Sequence, residues 1–308
     1  MKLYFAPMEG ITTYTYRNTH NEYFGNCDEY YAPFIAPSEN ERITRKTLKD
    51  ILPENNEGIN LKVQILTNIA NAFNNFVPKI EEIGYDEINL NIGCPAGTVV
   101  GKGRGSGFLR YPNELDKFLE NIYAENEMKI SLKTRIGFQD GEEMYELMDI
   151  FNKYPVSELI IHPRVRQEFY KGYPDMKIFE YAYNISKNKV CYNGNIFTVS
   201  DFENIVSKYP ELSGIMIGRG AIADPGIFRN IRTGKKTTKD ELIGFTELLV
   251  KNYNKILNSD TYTLHKLKEI WIYMITNFSD CKKQFKTMKK TDDLSVFMSA
   301  MYALPEIE

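Results

Sequence analysis

Short apolar runs recur through the first 217 residues, and segments of helical character separate them. Eight such runs are present, at residues 2–6, 29–33, 61–66, 87–92, 129–133, 158–161, 189–192 and 214–217. Several are apolar throughout rather than alternating, as expected of parallel strands covered on both faces. Amphipathic stretches lie between them at residues 69–83, 113–124, 142–154 and 199–209. This alternation predicts an α/β fold, a closed (β/α)8 TIM barrel, with a doubly wound open sheet as the alternative.

Composition narrows the class of protein. The 308 residues are 43% hydrophobic and 26% charged, as is ordinary for a globular protein. The formal net charge of -3 argues against a molecule that binds polyanions over its whole surface. No apolar run is long enough to span a bilayer, and Pro7 breaks the N-terminus too early for a signal peptide. The four cysteines show neither C-x-x-C nor His/Cys spacing. We therefore expect a cytoplasmic protein with no metal, no membrane association and no disulfide framework.

The pattern of the sequence changes after Arg232, from alternating strands and helices to helices alone. A polar linker, Gly234-Lys235-Lys236-Thr237-Thr238-Lys239, is followed by helical patterns at residues 240–258, 262–278, 282–290 and 294–304, with no strand signal. The segment from Arg232 to the end carries 13 Lys and Arg against 10 Asp and Glu, whereas the whole chain is acidic. We predict a barrel domain at 1–233 and a small helical domain at 239–308.

Unusual polar residues follow the predicted strands at their carboxyl ends. They are Pro7-Met8-Glu9-Gly10 after the first run, Gln64 near the end of the third, Asn91 and Cys94 after the fourth, Lys133 and Arg135 ending the fifth, His162 and Arg164 after the sixth, Asn193-Gly194-Asn195 after the seventh, and Gly218-Arg219-Gly220 after the eighth. In a (β/α)8 barrel these ends meet on one face, where active sites are built. The sequence therefore predicts an active site there.

Cys94 follows the apolar run at 87–92, between the turn-forming residues Gly93 and Pro95. A thiol on a turn at the carboxyl end of a barrel strand is placed to contact a ligand. The alternative for a free cysteine is a small buried hydrophobe.

Two turns at neighbouring strand ends suggest a phosphate site. Gly218-Arg219-Gly220 and Asn193-Gly194-Asn195 offer backbone N–H groups where barrels often bind phosphate, although Gly and Asn also favour ordinary turns. At the end of the fifth strand, the Lys133 side chain either contacts an anionic ligand in the barrel mouth or extends its charged end to the solvent. His162 is either a satisfied core residue or a ligand contact.

Two loops at the predicted mouth are basic. Lys102, Arg104 and Arg110 follow Cys94, and a second set follows His162, in which Arg164, Arg166 and Lys171 alternate with Phe169, Tyr170 and Tyr173. Basic residues mixed with aromatics suit a single-stranded or flipped nucleotide. The alternative is a solvated rim.

Taken together and in order, these motifs resemble the dihydrouridine synthases, flavin enzymes that reduce uridine in transfer RNA. The resemblance covers the whole chain. It rests on Ala6-Pro7-Met8-Glu9-Gly10-Ile11-Thr12, Asn91-Ile92-Gly93-Cys94-Pro95, Lys133-Thr134-Arg135-Ile136-Gly137, His162-Pro163-Arg164, Asn193-Gly194-Asn195-Ile196 and Met216-Ile217-Gly218-Arg219-Gly220-Ala221. One departure is Gln167, which lies one place before the glutamine usual in that loop of the family.

The resemblance implies FMN in the barrel mouth and NADPH as its reductant. Pro7, Met8 and Glu9 would pass along the flavin, Gln64 would hydrogen-bond its ring, Lys133 would face its N1/O2 side, and His162 would help to place it. The phosphate end would be held by Asn193, Gly194, Asn195, Gly218 and Arg219.

The resemblance also implies a tRNA-dihydrouridine synthase. Hydride would pass from N5 of reduced FMN to C6 of uracil, and Cys94 would give a proton to C5. Asn91 would orient the base. Such an acid has to stay protonated near neutral pH, as a thiol with a pKa of about 8.5 does.

Substrate contacts are expected from Asn91, Lys102, Arg104, Arg135, Arg164 and Arg166, and from Lys266 and Lys268 in a helical RNA-binding region that also contains Lys282, Lys283, Lys286 and Lys290. We expect a monomer. The rivals are a dihydroorotate-dehydrogenase-like flavin barrel acting on a free pyrimidine, the same chemistry on ribosomal RNA, and an RNA-binding protein whose barrel is only a scaffold.

Overall fold

A computed structural model describes residues 1–37 and 44–307. Within them lie eight strands, β1 (Lys2–Phe5), β2 (Glu29–Tyr31), β3 (Leu61–Ile65), β4 (Glu87–Ile92), β5 (Lys129–Gly137), β6 (Leu159–Val165), β7 (Val190–Tyr192) and β8 (Gly214–Ile217). Each strand pairs in parallel with its neighbours in chain order. The last strand returns to the first, with Lys2 opposite Gly214 and Phe5 opposite Ile217. This closure confirms the predicted TIM barrel and excludes the open sheet.

Helices surround the barrel and follow it. They are α1 (Tyr14–Tyr23), α2 (Arg45–Leu48), α3 (Ala70–Glu82), α4 (Gly97–Val100), α5 (Pro112–Glu125), α6 (Glu143–Phe151), α7 (Met176–Ile185), α8 (Val199–Lys208), α9 (Arg219–Ala223), α10 (Ile227–Thr233), α11 (Lys239–Leu257), α12 (Asp260–Met274), α13 (Lys282–Lys290) and α14 (Leu294–Tyr302). Among the described residues, no helix has both the length and the apolar character needed to cross a membrane.

Alternate side chains of each strand point to opposite faces of the barrel wall, so the strands contribute to two cores, one between barrel and helices and one inside the barrel. On β4, Ile88, Leu90 and Ile92 are fully buried in the large apolar core that includes side chains from the surrounding helices. The alternate residues Asn89 and Asn91 bond to side chains of β3 and β5. A second, small apolar cluster is formed by Tyr4, Ala6, Tyr31, Ile160, Cys191 and Met216. The barrel interior is therefore partly polar, and its amides lead toward the strand ends.

Two strands extend further than the sequence predicted. We expected the fifth to end at Lys133 and the sixth to end at Ile161, but β5 runs on to Gly137 and β6 to Val165. The pairing continues because Arg135 lies opposite His162, and Gly137 opposite Val165 after a shift in register. His162 and Arg164 thus lie within β6 rather than after it, and the strand backbone holds them more firmly than a loop would.

Side-chain hydrogen bonds mark the starts of the helices after β7 and β8. Thr198 is the N-cap of α8; its hydroxyl accepts from the N–H of Asp201, and the Asp201 carboxylate accepts from that of Thr198. Helix α9 begins directly after Gly218, and α10 begins at Ile227, just after Asp224, whose carboxylate accepts from the N–H of Gly226.

The C-terminal helices pack on the barrel. The Phe245 ring of α11 lies 5.7 Å from that of Tyr16 and 5.3 Å from that of Phe24. From α12, Lys266 Nζ donates to the carbonyl of Gly10, in the loop after β1, at 2.9 Å. The predicted helices after Arg232 are therefore present and in contact with the barrel mouth.

Candidate active site

A cavity of about 350 Å3 opens at the carboxyl ends of the strands. It is lined by Pro7, Met8, Glu9, Ile11, Pro33, Phe34, Gln64, Asn91, Gly93, Cys94, Pro95, Ala96, Lys133, Arg135, His162, Phe169, Tyr170 and Tyr273. A smaller cavity of about 60 Å3 adjoins it, lined by Ala6, Pro7, Met8, Lys133, His162, Tyr170, Asn193, Gly194, Gly218 and Arg219. The shared lining residues make the two one continuous cleft, which we call the active cleft.

The turn that carries Cys94 is fixed from both sides. The side-chain oxygen of Asn91 accepts from the N–H of Gly93 at 3.1 Å and from that of Cys94 at 2.9 Å. The Cys94 carbonyl accepts from Ser106 twice, from its N–H at 3.0 Å and its hydroxyl at 2.9 Å. Gly105 has a φ of +56°, and a Cβ there would lie 2.7 Å from that carbonyl. Only glycine fits this approach, so the turn is rigid and the thiol faces the cleft.

A chain of buried amides supports this turn from inside the barrel. Asn91 donates to the side-chain oxygen of Gln64 at 2.8 Å, Gln64 donates to Asn89 at 2.7 Å, and Asn89 donates to the hydroxyl of Ser131 at 3.0 Å. The Asn91 amide is thus engaged with the turn and with Gln64. Its geometry favours holding Cys94 in place over contacting a base.

The Cys94 thiol is held in its neutral form. Burial raises the pKa of Cys94 above its ordinary value, although the N–H of Ala96 and the charges of Arg135 and Lys133 act in the opposite direction. A thiol with a raised pKa is protonated at neutral pH, so it holds a proton that it could donate and is a poor nucleophile.

Three cations, Lys133, Arg135 and Arg219, line the cleft, and a fourth, Arg164, is buried beside His162; we call these four the cation cluster. Lys133 Nζ donates to Asn193 at 2.6 Å, and burial followed by the charge of Arg135 lowers its pKa to about 8. Arg135 donates to the carbonyls of Gly93, Val165 and Phe169 at 3.0, 3.0 and 2.7 Å, so it ties the Cys94 turn to the loop after β6.

Among the described residues, no carboxylate is paired with the cation cluster, although the charge of Glu168 acts on Arg135 and Arg164. Arg164 and Arg219 both donate to the side-chain oxygen of Asn195, at 3.1 and 2.9 Å. Within residues 1–37 and 44–307, none of the four cations forms an ion pair with a carboxylate. Burial and these four charges hold the pKa of His162 well below its ordinary value, so the ring is neutral. Uncompensated positive charge at a partly buried site is suited to an anionic ligand.

Tyr170 lines both parts of the cleft. Its ring lies 6.0 Å from the ring of His162 and 4.6 Å from the guanidinium of Arg219. The preceding residue, Phe169, has a φ of 52°, a left-handed backbone that is uncommon outside glycine. The loop after β6 therefore presents an aromatic ring to the point where the two cavities meet.

Sequence reasoning missed two aromatic walls of the cleft. Phe34 follows β2, so its strand-end position could have indicated it. It was missed because the search for site residues looked for polar side chains, and none follows that strand directly. Tyr273 lies on α12, and no sequence pattern could have placed it, because only the docking of α12 brings it to the cleft.

Six of the residues expected to contact substrate do not line the cleft. Lys102 is exposed, Arg104 donates to Asn68 at 3.4 Å, and Arg164 is fully buried. Arg166 lies by the rings of Phe138 and Phe169, of which only Phe169 lines the cleft. Lys266 pairs with Glu269 as well as with Gly10, and Lys268 pairs with Asp292 at 3.5 Å. The two lysines of α12 are thus engaged within the protein, whereas the lysines of α13 are exposed without ion pairs in the described structure.

Over the described parts of the chain, no group of three or more His, Cys, Asp or Glu side chains could hold a metal ion. The site consists instead of a neutral thiol, buried amides and four cations.

Comparisons with known proteins converge on one family. The dihydrouridine synthase (Dus) family model matches residues 4–300. A probable tRNA-dihydrouridine synthase of Helicobacter pylori is 29% identical over 259 residues, covering 83% of this chain and 76% of the relative. The tRNA-dihydrouridine synthase B of Pasteurella multocida is 27% identical over 232 residues, covering 74% and 68%.

Solved structures share the fold at low identity. Histamine dehydrogenase from Rhizobium sp. 4-9 superposes with a TM-score of 0.57 and 11% identity, over 82% of this chain and 48% of that one. Morphinone reductase in complex with tetrahydroNAD gives a TM-score of 0.51 and 10% identity, over 77% and 88%.

Proposed function

The chain belongs to the dihydrouridine synthase family, and from this premise we propose that it reduces the C5=C6 bond of specific uridines in tRNA to 5,6-dihydrouridine, with FMN as cofactor and NADPH as reductant. One observation carries the proposal: a protonated, half-buried thiol faces a cleft whose cation cluster has no paired carboxylate among the described residues. An anionic cofactor supplies the missing charge, and the thiol supplies a proton.

The described residues fit FMN. Arg219, with Asn193, Gly194, Asn195 and Gly218 around it, would hold the phosphate, since the two guanidinium groups that meet at Asn195 lack a carboxylate. Pro7, Met8 and Glu9 line the ring end of the cleft with Gln64, Lys133 and His162. Bound FMN, once reduced by NADPH, supplies the hydride that C6 of the uracil receives.

The chain's own residues then manage the proton and the ring. Cys94 gives its proton to C5, so that one hydride and one proton saturate the double bond. Lys133 places positive charge beside the ring end of the cleft. Asn91 acts as a positioning residue by holding the Cys94 turn, and Arg135 holds that turn and the loop after β6 together.

The helical segment at 239–308 is proposed as the RNA-binding domain beside a catalytic domain at 1–233. Helix α13 carries five exposed lysines, Lys282, Lys283, Lys286, Lys289 and Lys290, whose spacing puts most of them on one face, while Met288 is buried. Exposed cations free of acids are available to RNA phosphates. With Lys266 and Lys268 engaged internally, α13 is the stronger candidate for the RNA contact. Acting on tRNA, the protein would work in the cytoplasm, and we propose a monomer.

Purified protein loaded with FMN tests the function against its rivals. With NADPH, we expect dihydrouridine to form in tRNA and not in ribosomal RNA, free uracil or orotate. Reduction of a free pyrimidine without tRNA would favour a dihydroorotate-dehydrogenase-like enzyme. A colourless preparation that binds tRNA but no FMN would instead favour an RNA-binding scaffold.

A further inference from the structure

Beside the active cleft, arginine and phenylalanine side chains from three loops stack alternately. The Arg110 guanidinium lies 4.6 Å from the centre of the Phe138 ring, and the Arg166 guanidinium lies 5.7 Å from the same ring. Arg166 is also 5.1 Å from the Phe169 ring. We call Arg110, Phe138, Arg166 and Phe169 the Arg–Phe ladder. These residues lie 59 positions apart in the chain from first to last and meet because β4, β5 and β6 are neighbours.

The two arginines of the ladder have no acidic partner among the described residues. Arg110 makes one side-chain hydrogen bond, at 3.4 Å to the hydroxyl of its neighbour Tyr111. The Nε of Arg166 is buried and has no hydrogen-bond partner within the described residues. The charge of Arg110 is solvated, whereas the buried Nε of Arg166 lacks a partner in the described part of the chain, which is costly for a structural role alone.

Two acids close to the ladder are engaged with the backbone. Glu143 accepts from the N–H groups of Phe138, Gln139 and Asp140, at 2.7, 2.9 and 3.0 Å. Glu168 accepts from the N–H of Val165 at 2.8 Å. These two carboxylates shape the loops that carry the ladder. A third acid, the exposed Glu146, lines the same cavity as Arg110 and Phe138 without forming an ion pair with either arginine in the described structure, so both guanidinium groups stay available to an external anion.

The ladder connects two cavities. Arg110 and Phe138, together with Tyr111 and Pro112, line a cavity of about 470 Å3, within the size range of ligand sites. At the other end, Phe169 lines the active cleft. Arg110 is exposed at one end and Phe169 is 40% exposed at the other, whereas Phe138 between them is buried, so the stack is open to solvent at its two ends.

We propose that the Arg–Phe ladder binds a nucleotide adjacent to the extruded uridine, stacking its base on the guanidinium and ring planes and pairing its phosphate with Arg110 and Arg166. The proposal rests on the proposed function, because extrusion of the uridine leaves its neighbour unstacked at the edge of the cleft. Aromatic and arginine planes accept any unstacked base. The ladder would thus hold the strand while the uridine is in the cleft.

The test measures binding of two single-stranded RNA probes to the full-length protein. One probe is hexauridylate, and the other is a six-nucleotide strand in which a single central uridine is flanked by abasic nucleotides. We expect the wild-type protein to bind hexauridylate more tightly, by on the order of tenfold. Arg110→Ala should remove most of this preference, because it loses the phosphate contact with both probes but the stacking contact with hexauridylate alone. Arg110→Lys keeps the charge but not the plane, so it should restore little of it.

The control is Lys189→Ala, which removes an exposed charge at the opposite end of the barrel, before β7, and should keep the preference. An equal preference in wild-type and Arg110→Ala protein, or none in the wild type, would overturn the ladder. The proposed function is measured separately, as dihydrouridine formed in tRNA. With tRNA as substrate, Arg110→Ala should raise KM about tenfold at unchanged kcat. An unchanged KM would also contradict the proposal.

Discussion

At residue 94, a thiol shares its cleft with Lys133 and Arg135, whose charges lower its pKa, yet burial keeps it neutral. Cationic neighbours alone would favour the thiolate. The Cys94 turn is instead packed against Asn91 and Ser106, and the thiol is half-buried between Gly93 and Pro95. Burial therefore outweighs the cationic neighbours. A nucleophilic cysteine in a similar position would need the opposite outcome, with its thiolate favoured.

The protonation state of Cys94 is a direct prediction. Because burial raises the pKa of Cys94, the rate of its alkylation should show an inflection at a higher pH than that of an ordinary cysteine side chain. Site-resolved mass spectrometry after iodoacetamide treatment distinguishes Cys94 from Cys27, Cys191 and Cys281. The inflection, unlike the absolute rate, does not depend on accessibility. An inflection below pH 7 would show an activated thiolate and contradict the proton-donor role.

At this scale the sequence predicted where residues lie better than what they do. Gln64, Asn91, Lys133 and His162 all line the cleft as the strand-end pattern indicated. The engagement of the Asn91 amide was not predictable, because it depends on Gln64, 27 positions earlier on β3. Hydrogen bonds across strands are fixed by register, and sequence spacing does not reveal register.

At the scale of elements, strands were easier to find than their ends. All eight were predicted, and β4 and β8 were predicted to the residue. The predicted fifth and sixth strands are too short because polar residues suggested strand ends. In a barrel, however, polar side chains can point into the mouth while their backbone still pairs, as Arg135 and His162 do. For the same reason, the sequence did not indicate that Arg135 and His162 are held by strand pairing rather than by loops.

Helix α13 gives a prediction of its own. Replacing Lys282, Lys286 and Lys290 by Gln should weaken tRNA binding and reduce the slope of log affinity against log salt by about 1 for each phosphate that the helix no longer neutralises. The matched control replaces Lys117, Lys177 and Lys187, three exposed lysines on the outside of the barrel, by Gln. Equal reductions in affinity for the two triple variants would show a general charge effect and remove α13 from the RNA-binding surface.

At the scale of the whole molecule, the C-terminal helices help to build the cleft. Tyr273 of α12 forms part of its wall, and Lys266 of the same helix bonds to the loop after β1. An aromatic cluster around Phe5, His20 and Phe245 connects β1, α1 and α11. The sequence indicated a separate helical segment, but it contained no signal for this packing, since tertiary structure alone produces it.

Within that cluster, His20 couples stability to pH. The ring is fully buried between the hydroxyl of Tyr30, at 2.7 Å, and the carbonyl of Pro225, at 2.8 Å. Burial lowers the pKa of His20 to about 4 from an ordinary 6.5. Between these two values the unfolded chain binds the extra proton, so the contribution of His20 to the free energy of unfolding is complete above pH 6.5. It falls by up to about 1.4 kcal/mol per pH unit as the pH drops toward 4.

Urea unfolding at several pH values checks this coupling. The stability difference between wild-type protein and His20→Gln should shrink as the pH falls from 6.5 to 4, with His265→Gln, at an exposed position on α12, as the control. A difference independent of pH would mean that His20 does not stay neutral in the folded protein.

The most direct measurement maps dihydrouridine in tRNA and ribosomal RNA from cells with and without this protein. We predict that one or more tRNA positions lose dihydrouridine in its absence, and that the wild-type gene restores them whereas Cys94→Ala, expressed at equal level, does not. An unchanged dihydrouridine map, or full restoration by Cys94→Ala, would contradict a uridine reductase that depends on Cys94.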